Sequence, residues 1–472
     1  MWSLLRSLLA RLTRRDAPPP ALALAPGAAA RPARPAAAER ARIDARAAPP
    51  GLGARRPLVH VSGRLAGFEF QAAGLLPCRL PDGQVDPVTA ARTGNLLGAM
   101  RLTLKQGLQP LAELPAGWLA WHLDKGTLAA GMHLVLGADP DWTQRAGLTD
   151  LVGRLRAVGV LVGWRPARPG DPAVPAGTPD FALLPDPPAR LASADAWRTA
   201  MREVLADWPG VGFVLLDLPD VDLLEELLVP PVLMSGCVPT PGGGQNSRVQ
   251  ALPPQARLLM RLINRLVRDD DPGLIVADIK SDAALGLRLL AWINSAGMSH
   301  DGQPVASIEQ AVALLGRSQI YRWASQALVR LSPPRPAGLA LQATALARAR
   351  LLELLGAREG QGDPGGLYLL GLASMLPLLL QCSLDEALGQ LALPEAAVQA
   401  LREREGPWLR HLALMHALER HDLLAAESLA QTWGGLDTVL AMADDAWRMA
   451  GAEGSPVQPS PAPPPHEIGQ PA

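Results

Sequence analysis

The chain has 472 residues, of which 47 are proline and 45 glycine, and its 44 Lys+Arg against 45 Asp+Glu leave a net charge of −1. That balance argues against an electrostatically driven nucleic-acid binder, which would carry a basic excess. Cys78, Cys237 and Cys382 are too few and too widely spaced for a disulfide framework or a zinc cluster, so a reducing, cytoplasmic setting is expected.

In chain order, the first segment is MWSLLRSLLARLTRR, where Leu4, Leu5, Leu8, Leu9 and Leu12 recur at helical spacing among Arg6, Arg11, Arg14 and Arg15. The arginines break the continuous apolar core that a signal peptide needs. A basic amphipathic helix of this kind can lie on an anionic membrane surface, or dock on its own domain. No apolar run reaches the ~18 residues of a transmembrane helix. Residues 16–56 are Ala, Pro and Arg with almost no large apolar side chain, so 1–56 reads as a short helix followed by a disordered tether.

Residues 57–240 hold short apolar runs broken by Gly and Pro: LVHV (58–61), HLVLG (133–137), VGVLVGW (158–164), VGFVLLDL (211–218) and PVLMSG (231–236). Such runs suit buried parallel strands. They alternate with helical stretches at 149–158 and 194–208, which predicts βαβ units and an α/β domain. The Gly-rich stretch at 241–250 reads as a hinge, since it lacks the Lys-Ser/Thr of a phosphate-binding loop. Residues 251–452 are helical throughout. Asp282 is placed to cap a helix in which Leu285, Leu289 and Ile293 form one face. Ser307 and Gln310 form a capping box for another, which stops at Gly316. Residues 453–472 are a Pro-rich tail expected to be disordered.

The helical half resembles the HDOD domain of bacterial signalling proteins. The resemblance rests on Ser281-Asp282, Asn294-Ser295-Ala296 and Ser307-Ile308-x-Gln310-Ala311-x-x-Leu314-Leu315-Gly316. It continues through Ala347-Arg348-Ala349-Arg350-x-x-Glu353-Leu354-Leu355, Leu369-x-Gly371-Leu372, Arg404-Glu405-Gly406 and Ala417-Leu418-Glu419-Arg420. HDOD domains are similar to HD-type phosphohydrolases without the metal-binding His-Asp pair. Here Ser374-Met375 stands at that turn, and neither residue replaces an imidazole or a carboxylate on a hard divalent cation. A His-Asp dipeptide elsewhere, His421-Asp422, follows His411 and His416 at spacings of five, which do not share a helical face. It is expected to be a loop dipeptide.

The α/β half resembles the EAL phosphodiesterase barrel of proteins with EAL–HDOD architecture. Gly63-Arg64-Leu65-Ala66-Gly67-Phe68-Glu69 is similar to the start of an EAL domain, which puts Glu69 where a metal-ligating Glu stands. The remaining pattern departs from the family. The Asn-bearing strand resembles Leu119–Leu123, with His122 for Asn, and the next Glu-bearing strand resembles His133–Gly137, with no carboxylate before Asp139. Gly163-Trp164-Arg165-Pro166 replaces a pair of aspartates, and Leu184 ends the segment that resembles the Lys-bearing strand. Asp217 could replace one late Glu, and Met234 or Ser235 takes the place of the substrate-reading Gln.

The expected fold is thus a degenerate EAL-like barrel, with an incomplete barrel left open because 184 residues (57–240) fall short of the ~250 of a full (β/α)8 barrel, followed by an all-α HDOD domain. A two-metal hydrolase needs several converging carboxylates, so no catalytic residue, cofactor or bound metal is expected, with Glu69 and Asp217 as vestigial ligands. The resemblance implies an inactive signalling adaptor that works through protein partners. One alternative is a non-hydrolysing cyclic-di-GMP receptor using Arg165 or Arg168 on a phosphate. Another is a residual phosphodiesterase using Glu69, Asp217 and Asp220.

Overall fold

The fold, taken from a computed structural model, is described for residues 55–71, 76, 85, 87–166, 175–184, 193–237, 251–294, 304–360 and 363–454. Residues 1–54, the Gly-rich stretch 241–250, Cys78, Arg168 and residues 455–472 lie outside them, while 453 and 454, expected in the tail, end the last helix.

The strands are β1 (Arg55–His60), β2 (Leu65–Phe70), β3 (Gln109–Pro115), β4 (His133–Gly137), β5 (Leu161–Trp164), β6 (Phe181–Leu184), β7 (Gly212–Leu218) and β8 (Val232–Cys237). They close into one barrel in sequence order. β1 runs antiparallel to both β2 and β8, and the other neighbours are parallel. Alternate side chains point inward, so Leu58, Leu111, Val135, Phe181, Val214 and Met234 fill the interior as a packed core. The expectation of an incomplete barrel is corrected: all eight strands are present, and the economy falls on the helical layer. β1 and β2 are joined by a tight turn at Gly63 (φ +79°), which leaves no room for a helix between them. The outer helices are α1 (Pro87–Lys105), α2 (Ala116–Asp124), α3 (Arg145–Ala157), α4 (Ala194–Asp207) and α5 (Val221–Leu227).

The second half is all-helical: α6 (Pro254–Val267), α7 (Pro272–Lys280), α8 (Ala283–Ile293), α9 (Ile308–Val329), α10 (Gly338–Arg358), α11 (Pro364–Ala373), α12 (Leu376–Leu380), α13 (Leu384–Gln390) and α14 (Glu395–Val398), then α15 (Leu409–Glu419), α16 (Leu423–Ala430) and α17 (Leu436–Gly454). The caps form where expected. Asp282 accepts from Leu285 N at 3.0 Å, and Ser307 Oγ accepts from Gln310 N at 3.1 Å. The capping box is not fully reciprocal, because Gln310 Oε1 accepts from Ala306 N. Gly316 (φ 68°, ψ 172°) breaks α9 into two segments at the expected stop. Gly371 lets α10 and α11 approach closely: a Cβ there would sit 2.6 Å from Ala349 Cα.

The helical half supplies the layer that the barrel omits. α10 and α17 pack against β1, and Trp447 of α17 meets Phe68 of β2 edge-on, with ring centroids 5.2 Å apart. Arg335, just before α10, is buried against Glu225 of α5 at 2.7 Å, and Ala337 N donates to the same carboxylate at 3.0 Å. Phe68 and Trp447 each bury most of a large apolar surface, so covering this face stabilises both halves together.

Candidate functional site: the barrel mouth

The parallel strands end at one mouth. Because β1 runs the other way, its first residues arrive there beside the last residues of β2, and Arg56 reaches Asp217 at the end of β7. Arg56 stands directly across from Glu69 in the β1/β2 register. Its Nε and Nη2 reach Glu69 Oε2 at 2.7 and 2.5 Å, and its Nη1 donates to Asp217 Oδ1. Asp217 takes a left-handed conformation (φ 58°) at the irregularity that ends β7. Gly236 of β8 leaves space beside the guanidinium, since a Cβ there would lie 3.1 Å from Leu58 Cδ2 and 3.7 Å from Arg56 Nε.

Arg56 and Glu69 are buried, whereas the Asp217 side chain is half exposed. Burial works against the Arg56 charge, yet the Glu69 and Asp217 carboxylates outweigh it and raise the pKa above its ordinary value. A guanidinium is a permanent cation. A second pair lies at the same mouth, where Arg165, just after β5, donates from Nη2 to Glu113 Oε2 of β3 at 2.5 Å.

Several sequence-level expectations change here. Arg55 and Arg56 belong to β1, not to the tether. Leu119–Leu123 is not a strand but part of α2, and the strand just before it is β3, which carries Glu113. His122 is accordingly buried under the helical layer, with Nδ1 2.9 Å from Thr127 Oγ1. Asp139 accepts from Gly117 N at 2.8 Å, and Asp220 caps α5 by accepting from Leu223 N at 2.8 Å. Both therefore hold local backbone. Met234 lies in the barrel core, and Ser235 beside it is also buried.

In the helical half, Ser374 and Met375 follow α11. The Arg348 guanidinium clamps Glu419 with two bonds of 2.7 and 2.8 Å and donates to Ser374 Oγ at 3.2 Å. Ser374 donates onward to Gly371 O at 2.6 Å. A cavity of about 30 Å³ beside this pair, between Met415 and Trp447, has room for one water. His411 lies edge-on to Trp433 with Nε2 3.1 Å from Glu359. His421-Asp422 is a loop dipeptide between α15 and α16, where Asp422 accepts from Ala425 N at 3.0 Å. Among the described residues, no group of three or more His, Cys, Asp and Glu could hold a metal ion. No described helix is long and apolar enough to cross a membrane.

His122 and His416 are both held near pKa 4, from an ordinary 6.5, by burial first; Arg101 adds to this at His122, while at His416 Glu419 opposes it and Arg348 adds to it. The folded chain keeps both neutral, and the unfolded chain protonates both below about pH 6.5. Their stabilisation is therefore complete above pH 6.5 and is lost as pH falls from 6.5 towards 4. Each contributes a slope of about 1.4 kcal/mol per pH unit across that window. Denaturant midpoints between pH 7.5 and 4.5 measure this, and a His416→Gln variant shows a shallower decline.

Residues 252–405 match the HDOD domain family. YuxH of Bacillus subtilis (strain 168), described as an uncharacterized protein, is 28% identical over 34% of this chain and 40% of its own length. The cyclic di-GMP phosphodiesterase CdgJ of Vibrio cholerae is 28% identical over 32% of this chain and 34% of its own length. The chain thus spans about two fifths or less of these curated relatives. An EAL domain protein from Listeria monocytogenes EGD-e aligns over 39% of this chain and 85% of its own, at 16% identity and a TM-score of 0.27. The Gly63–Glu69 motif lies across the β1–β2 turn and β2, and it delivers Glu69 to the mouth. Residues 252–405 thus match the HDOD domain family, and they follow a closed eight-stranded barrel.

Proposed function

We propose that this chain is a catalytically silent signalling adaptor of the cyclic-di-GMP context, acting through protein contacts of its HDOD half. One observation carries the reading: the carboxylates at the barrel mouth are neutralised by the chain's own arginines. Glu69 and Asp217 share Arg56, and Glu113 is paired with Arg165. A pair of catalytic divalent cations needs converging free carboxylates, and a fixed guanidinium between two of them repels a second cation. The HDOD turn has the same character, with Arg348 bonded to Ser374 and Glu419. The kinship of the chain with a cyclic di-GMP phosphodiesterase supports the signalling context.

The test is an assay of the purified full chain with cyclic-di-GMP in Mg²⁺ or Mn²⁺, followed by chromatography of the linear dinucleotide. No turnover above buffer is expected. Metal-dependent turnover that disappears in Glu69→Gln would overturn the reading. Saturable nucleotide binding without turnover, lost on Arg165→Ala, would instead favour a receptor, since Arg165 is two-fifths exposed at the mouth.

A further inference from the structure

The segment that leads into α10 reads Ser332-Pro333-Pro334-Arg335-Pro336-Ala337. Arg335, whose side chain is 4% exposed, donates from Nε to Glu225 Oε1 of α5 at 2.7 Å and from Nη2 to Asp222 Oδ1 at 3.3 Å. Its Nη1 donates to Leu378 O of α12 at 3.0 Å. The β1–β2 turn also comes close, since a Cβ on Gly63 would stand 2.7 Å from Pro336 O. Ala337 is the N-cap residue of α10, and Leu341 N donates to Ala337 O at 3.0 Å to close the first turn. An alanine has no side-chain oxygen to cap with. Ala340, at the third helical position, has no carboxylate to reach back to the N-cap amide as in a capping box. Glu225 Oε1 accepts from Ala337 N at 3.0 Å instead, so the carboxylate that α10 lacks comes from the barrel.

We propose that Glu225 of the barrel is the N-terminal cap of α10, and that Arg335 locks this carboxylate in place. A helix of the HDOD half is thereby completed by a residue of the barrel. The carboxylate satisfies the N-cap amide and puts negative charge at the positive end of the macrodipole of a 21-residue helix. Arg335 balances the Glu225 charge, which is itself mostly buried. Prolines at 333, 334 and 336 restrict the segment, so it has little conformational freedom to lose on docking. α10 also carries Arg348, which holds Ser374 and Glu419, so the barrel fixes the start of the element on which that contact is built. This role of the barrel is independent of any chemistry at its mouth.

Hydrogen exchange of the full chain tests this, comparing the wild type with Glu225→Leu, Glu225→Gln and the double variant Glu225→Leu with Arg335→Met. In Glu225→Leu, exchange across residues 337–341 is expected to quicken about tenfold or more, with β3, β4 and α15 as protected as in the wild type. Glu225→Gln keeps an acceptor without the charge, and it is expected to quicken the same amides by a smaller factor. The double variant removes the stranded Arg335 charge, yet the quickening is expected to persist because the cap is still missing. Wild-type exchange at 337–341 in either single variant would overturn the proposal. So would wild-type protection in the double variant, which would trace the effect to an unpaired arginine. Acceleration spread evenly over the whole chain would overturn it as well, since Glu225 would then be a general stabiliser.

Discussion

Arg348→Ala lowers the unfolding free energy by about 3 kcal/mol, read as a lower urea midpoint with the slope unchanged. Arg348 is almost fully buried, and its removal leaves the mostly buried Glu419 without its two charge-assisted bonds and Ser374 without a donor. The loss is chiefly the cost of a stranded carboxylate, not the intrinsic worth of the pair. A paired change, Arg348→Met with Glu419→Gln, accordingly recovers a large part of the stability. If the double variant is as unstable as the single one, packing of the arginine stem and not charge compensation governs this site.

Trp447→Ala costs about 3–5 kcal/mol, the range for deleting a buried tryptophan. The side chain lies over Phe68 and borders the small cavity beside Arg348 and Glu419. Its loss uncovers Phe68 of β2 and the outer face of β1, which α10 and α17 otherwise cover. The barrel and HDOD halves therefore unfold in one transition in the wild type, and calorimetry of Trp447→Ala shows that transition broadened or split. A double-mutant cycle with Phe68→Ala gives a coupling of about 0.5–1.5 kcal/mol if the aromatic contact joins the halves. A coupling near zero would show that the seam is held elsewhere.

Much of the architecture is legible in the chain because local signals agree with the fold. β4, β5, β7 and β8 are short apolar runs bounded by breakers, and Asp282 and Ser307 sit at real caps. β3 escapes because Gln109-Pro110-Leu111-Ala112-Glu113-Leu114-Pro115 carries prolines and a carboxylate, while the more apolar Trp118–Leu123 next to it is helical. Arg56 escapes because Arg55-Arg56-Pro57 merges into the Ala/Pro/Arg stretch before it. Its bonds to Glu69 and Asp217 span 13 and 161 residues, so only strand register discloses them. His421 is correctly placed as a loop residue, but the way α10 and α17 cover β1 depends on long-range packing that no local pattern encodes.

The most direct measurement is a titration of Mn²⁺ into the full chain, with free metal followed by electron paramagnetic resonance. With Arg56 and Arg165 neutralising the mouth, no saturable stoichiometric site is predicted, and Glu69→Gln leaves the curve unchanged. One or two equivalents of Mn²⁺ bound tightly in the wild type and lost in Glu69→Gln would contradict the account, because the mouth would then hold cations despite its arginines.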